Sequence, residues 1–128
     1  MREIVAYHDT IKLALISSPV IADFVVVKER MTATDGYLRL RATLTNGDFL
    51  ELTEYAVRVG QEITTVDYRY QWMDADRTAL RRRWDNTPHH PEAAGFPHHS
   101  HVESETMVVA SHPMSIVQLL SILERLIL

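Results

Sequence analysis

Between residues 24 and 85 the apolar side chains repeat every second position and turn residues punctuate the repeats, which confines this stretch to an antiparallel meander. Phe24-Val25-Val26-Val27-Lys28-Glu29-Arg30-Met31-Thr32 reads as a first strand, and Asp35-Gly36 is a hairpin turn signal. Leu38, Leu40, Ala42 and Leu44 then alternate with Tyr37, Arg39, Arg41 and Thr43, giving one buried face and one wet face. Thr45-Asn46-Gly47 makes the next turn. A three-residue loop with Gly47 in the left-handed region sets Leu40 opposite Leu52 and Ala42 opposite Leu50. The same register pairs Arg41 with Glu51, Arg39 with Thr53 and Tyr37 with Tyr55 on the other face. A two-residue loop would set leucines against arginines, so the longer loop is expected.

A fourth strand is expected over residues 63–73, with Val66, Tyr68, Tyr70 and Trp72 on one face, followed by the turn Asp74-Ala75-Asp76-Arg77. A fifth covers 80–85, with Arg81 and Arg83 on one side and Leu80, Arg82 and Trp84 on the other. Pro88, Pro91 and Pro97 forbid regular structure over 86–98 and stiffen that loop. Residues 98–111 can return as a last strand through Met107-Val108-Val109-Ala110.

Helices flank the meander. Ile4, Tyr7, His8, Ile11, Ala14 and Leu15 keep helical spacing until Ser17-Ser18-Pro19, which makes His8 a half-buried residue of a packing helix. Pro113 suits a helix's first position, ahead of the apolar face Ile116, Leu119, Leu120, Leu123, Leu126 and Ile127; His112, just before it, fits a capping or surface role. The expected fold is α+β: one domain over residues 1–128, an antiparallel β-meander of about five or six strands with N-terminal and C-terminal helices packed on one face.

Composition narrows the function classes. The chain has 128 residues, no cysteine and a formal charge of −4, so disulfides, thiolate metal sites and a cysteine nucleophile are excluded, and tight nonspecific binding of nucleic acid is disfavoured. No apolar run reaches the length of a membrane span, no secretory signal opens the chain, and a cytoplasmic, membrane-free protein is expected.

Five of the seven histidines fall in Arg83-Trp84-Asp85-Asn86-Thr87-Pro88-His89-His90-Pro91-Glu92 and Phe96-Pro97-His98-His99-Ser100-His101. Imidazole titrates near neutrality and serves as proton shuttle, ligand or switch, so this density points to chemistry or binding. These two segments, with Tyr68-Arg69-Tyr70-Gln71-Trp72 before them and Val102 after, resemble the small prokaryotic TumE-type toxins. The likeness is strongest over residues 68–102 and looser over the rest of the chain; Trp84 stands where a tyrosine or another aromatic is expected. The resemblance implies the toxin half of a toxin–antitoxin pair, whose partner is a small helix-turn-helix antitoxin.

The resemblance supplies little mechanism, so the side chains must be weighed for themselves. Metal-free RNA cleavage needs a base for the 2′-hydroxyl proton, an acid for the leaving oxygen and a cation for the phosphate. His89, His90, His98, His99 and His101 are candidates for acid and base, Arg83 or Arg81 for the phosphate, and Asp85 for orienting an imidazole. Trp84 and Phe96, with Tyr68 and Tyr70, are candidates for stacking bases, although aromatics on the fourth strand are more often core than base platform. His99 and His101 in extended chain share a side, and Asp85, His90 or Glu92 could complete a metal shell, but the spacing matches no metal motif and no metal or other cofactor is expected. Structural use of the histidines, as donors to carbonyls in a fixed loop, stays open, as does a non-enzymatic interaction module. A homodimer through a sheet edge or the apolar last helix is a further option.

Overall fold

The computed structural model describes residues 2–86, 99–102, 108–110 and 114–128. Its elements are helix α1 (Arg2–Ser17), strands β1 (Ile21–Met31), β2 (Asp35–Leu44), β3 (Phe49–Val59), β4 (Glu62–Met73), β5 (Leu80–Asp85), β6 (His99–Val102) and β7 (Val108–Ala110), and helix α2 (Ile116–Ile127). All seven strands form one antiparallel sheet in chain order, a meander. The sheet carries one strand more than expected because residues 98–111 contribute two short strands instead of one return.

Helix α1 buries Ile4, His8, Ile11 and Leu15, a stripe at i, i+4, i+7 and i+11. Leu38, Leu40, Leu50, Leu52, Tyr70 and Trp84 on the sheet close over Ile11 and Leu15 of α1 and Ile116, Leu119 and Leu123 of α2. Burial of so many large apolar groups at roughly 1.5–3 kcal/mol each is the main term holding the helices to the sheet. Ser18 Oγ donates to Glu124 at 3.3 Å and ties the C-terminal ends of the two helices together.

The β2–β3 hairpin has the register read from the sequence: Leu40↔Leu52, Ala42↔Leu50, Arg41↔Glu51, Arg39↔Thr53 and Tyr37↔Tyr55 are directly opposed. Gly47 takes φ +92°, the left-handed conformation that this loop requires. Its N–H donates to the Leu44 carbonyl at 2.9 Å.

The first turn lies two residues earlier than Asp35-Gly36 suggested. Thr32 makes it: its Oγ1 accepts from the N–H groups of Thr34 and Asp35 at 3.2 and 3.0 Å and donates to the Asp35 carboxylate at 2.6 Å. Asp35 and Gly36 already belong to β2, and Gly36 is needed there because α1 presses on it; a Cβ would stand 2.8 Å from both His8 Nε2 and Ile4 Cγ2.

Helix α2 begins at Ile116, not at Pro113, which lies with His112 outside the described residues. Ser115 is its N-cap, in a capping box: Ser115 Oγ accepts from Gln118 N at 3.2 Å and Gln118 Oε1 accepts from Ser115 N at 2.9 Å. Of the expected inward face, Leu126 is 54% exposed, while Ile127 packs against the core as expected. Among the described residues no helix is long and apolar enough to cross a membrane.

Candidate functional site

The end of β5 gathers four polar or aromatic residues by simple alternation. Trp84 points into the core and is 1% exposed, while Arg83 and Asp85 belong to the opposite face of the sheet. They are nevertheless buried, at 5% and 2% exposure, and Arg83 Nε donates to Asp85 Oδ2 at 3.1 Å. Asn86 follows, and its side chain continues the ladder after the strand stops: Nδ2 donates to the Val66 carbonyl at 2.7 Å and Oδ1 accepts from Tyr68 N at 3.1 Å. Asn86 is therefore held in place by β4.

Strand β6 pairs with this end of β5. Its backbone register sets His99 opposite Asp85 and His101 opposite Arg83. Four of the nominated catalytic positions, separated by up to eighteen residues, thus come together on two neighbouring strands. His89, His90, Phe96 and His98 lie outside the described residues. Arg81 does not join the group: it is exposed, and its Nε lies 3.5 Å from Asp48 Oδ2. Trp84 sits in the core, so the base-stacking role assigned to it has no exposed ring to use. Tyr68 and Tyr70 are likewise core residues, 5% and 0% exposed, with rings stacked at 5.1 Å. Burial and, next, the nearby charge of Asp85 push the Tyr68 phenol up to about 12. Among the described residues no group of three or more histidines and carboxylates is placed to hold a metal ion.

Two further features escaped sequence reasoning. The first is a concavity of about 330 Å³ on the face away from the helices, lined by Tyr37, Arg39, Glu51, Thr53, Arg69 and Gln71. Its centre is the cross-strand row Arg39↔Thr53↔Arg69, which requires the β3–β4 register as well as the β2–β3 register. Glu51 accepts from Arg39 at 3.1 Å and from Arg41 at 3.0 Å. The second is a carboxyl on the core face, Glu54, 2% exposed, reached by the hydroxyls of Tyr7 and Thr65. Burial raises its pKa above the ordinary 4.5, and it in turn helps burial to raise that of Tyr7. Its parity was readable, since it falls between the inward Leu52 and Ala56. His8 is more deeply placed than half-buried: it is 2% exposed, with Nδ1 2.8 Å from Glu29 Oε2.

A family model described as Toxin TumE matches residues 11–127. Among curated proteins and among solved structures, no match to the chain is found.

Proposed function

The chain belongs to the TumE toxin family, so its role is that of a toxin, and from that premise we propose that it is the toxin half of a toxin–antitoxin pair and acts on RNA at strands β5 and β6. The observation that carries the RNA reading is the register, which sets His99 against Asp85 and His101 against Arg83. Cross-strand positions share a face of a sheet, so this register assigns the two histidine positions to the face that carries a carboxylate and a guanidinium. A carboxylate next to an imidazole orients it and stabilises the imidazolium, the form that donates as a general acid and the form that a general base becomes once it has taken the proton. A guanidinium stabilises the charge that develops on phosphate as the 2′-oxygen attacks and the 5′-oxygen leaves. His89, His90 and His98 are further candidates for the second proton-transfer group, and Phe96 for holding a base.

A neighbouring helix-turn-helix antitoxin that silences the toxin belongs to the same reading. The test is growth after induced expression, alone and with the adjacent gene, for the wild type and for His90→Ala, His99→Ala and His101→Ala, with RNA integrity followed in the same cultures. Arrest accompanied by RNA loss, relieved by the antitoxin and by at least one histidine substitution in a protein with an unchanged melting temperature, is the expected result. Arrest that persists undiminished in all three variants would remove the histidines from the mechanism.

A further inference from the structure

We infer that the concavity on the open sheet face is a nucleotide subsite that draws single-stranded RNA across the sheet toward β5 and β6. The inference rests on the RNA reading above and extends it by naming where the chain of the substrate lies.

The registers of the successive hairpins join into two rows that cross six strands. One row runs Lys28, Arg39, Thr53, Arg69, Asp85, His99; the next runs Val25, Arg41, Glu51, Gln71, Arg83, His101. The nominated catalytic positions are therefore the far ends of rows that carry cations nearer their start. Strands are spaced about 4.8 Å apart, so Arg39 and Arg69 stand roughly 10 Å apart on either side of Thr53, and the His99 position lies roughly 10 Å beyond Arg69.

The two guanidiniums keep most of their donors free of internal pairs among the described residues. Arg39 uses one terminal nitrogen on Glu51, and its Nε is buried without a hydrogen-bond partner there. Arg69 is exposed and its side chain reaches the neutral Gln71, at 3.4 Å. Each guanidinium carries five donors, so both arginines, which line the concavity, keep terminal N–H groups that a phosphate would take up in forked pairs. Glu51 holds Arg39 and Arg41 in place and does not neutralise Arg69.

Beside this row lies a pair of aromatics. Tyr37 and Tyr55 are directly opposed, both half-buried and both on the open face, and with Thr53, Asp67 and Arg69 they line a second concavity of about 350 Å³ that continues the first. Lys28 Nζ sits 5.8 Å from the Tyr37 ring centre. Tyr55 is held by a 2.7 Å bond from its hydroxyl to Asp35. Guanidiniums for phosphate next to phenol rings for bases match single-stranded nucleic acid, whose unstacked bases expose their faces. A duplex hides those faces, so the match fails for double-stranded RNA.

Binding can be read separately from cleavage with a fluorescent 2′-O-methyl RNA of about 12 nucleotides, in which the attacking hydroxyl is blocked. The intact chain should bind the single strand by anisotropy at least about tenfold more tightly than the same sequence in a duplex. Arg39→Gln with Arg69→Gln should weaken single-strand binding at least about tenfold and flatten its salt dependence by roughly 1.4 in log–log slope, about 0.7 for each phosphate left without its arginine. Should that pair impair folding, the exposed Arg69→Gln alone should lower the slope by about half as much. Unchanged affinity in both variants, or equal affinity for the duplex, overturns the subsite. So does a double variant that keeps its RNA affinity but no longer binds the antitoxin, because the face would then be a protein dock. The two readings fail separately: RNA held by Arg39 and Arg69 with growth arrest intact in His99→Ala and His101→Ala would remove the β5–β6 chemistry and leave the subsite. Loss of arrest in those histidine variants with unchanged binding in the arginine variants would do the reverse.

Discussion

Tyr7 of α1 gives its phenolic hydrogen to Glu54 of β3, forty-seven positions away in the chain, and the same carboxylate oxygen also takes the Thr65 hydroxyl. The other oxygen, Oε2, is buried and has no hydrogen-bond partner among the described residues. The neighbouring Tyr70 hydroxyl donates to the Met114 carbonyl at 3.1 Å. A protonated carboxyl suits such surroundings better than a carboxylate does.

Stability should therefore fall as pH rises. Burial raises the folded-state pKa of Glu54, against the pull of Thr65, Tyr7, His8 and Tyr70, so the folded protein holds the proton more tightly than the unfolded chain does. The resulting stabilisation is complete below the unfolded value of 4.5 and is lost as pH climbs through the folded one. Glu54→Gln removes the ionisation: it should gain about 1–3 kcal/mol over the wild type near neutral pH and nothing in acid. Urea melts of both proteins at several pH values check this, and parallel curves at every pH would contradict it.

Gly36 and His8 should behave as a coupled pair. Gly36→Ala drives a methyl into the His8 ring and the Ile4 side chain, each 2.8 Å from the new carbon. Overpacking of this kind costs about 1–3 kcal/mol. In a His8→Ala background the imidazole is gone and the cost of Gly36→Ala should shrink by at least about 0.5 kcal/mol. Equal costs in both backgrounds would mean that α1 shifts as a body to make room.

Asn86 should tolerate neither alanine nor aspartate. Alanine takes away the side-chain partner of the Tyr68 N–H and of the Val66 carbonyl, at about 1–3 kcal/mol. Aspartate keeps the acceptor for Tyr68 but sets an oxygen against the Val66 carbonyl, so it should be no better. Amide exchange at Tyr68 should be quicker in the alanine variant than in the wild type. An aspartate variant as stable as the wild type would show that only the Tyr68 bond matters.

Register is legible wherever turn chemistry and alternation agree: Gly47 sets the loop and the leucines choose the face, and every pair derived for β2 and β3 stands. The first turn is misread from sequence because Gly36 serves a helix that packs on it from outside the hairpin, a need that no local pattern announces. The start of α2 is written in Ser115 and Gln118, a capping box that the more conspicuous Pro113 conceals. At the candidate site, the histidine density draws the eye to β5 and β6, but the Arg39–Thr53–Arg69 row spans three strands and emerges only when two registers are combined. Trp84 reads as a base platform because an aromatic's sequence neighbours do not say which side of a strand meets the helices, whereas the core reading favoured for Tyr70 is the one its burial matches.

The Arg83–Asp85 pair offers the sharpest separation of fold from function. Removing Arg83 alone takes a 3.1 Å charged partner from the nearly buried Asp85, a change that in buried pairs costs about 3–5 kcal/mol, so Arg83→Ala should unfold the end of β5 and abolish toxicity without informing on chemistry. Replacing both, Arg83→Met with Asp85→Leu, removes the two charges together, and such exchanges are often neutral for stability. If the pair serves the reaction, the double variant should melt within a few degrees of the wild type and yet fail to arrest growth. If the pair only holds β5 to its neighbours, the double variant should fold and remain toxic, and the acid–base roles opposite His99 and His101 would have to move to other residues. Thermal melting and growth after induction, measured on the two variants side by side, decide between these outcomes.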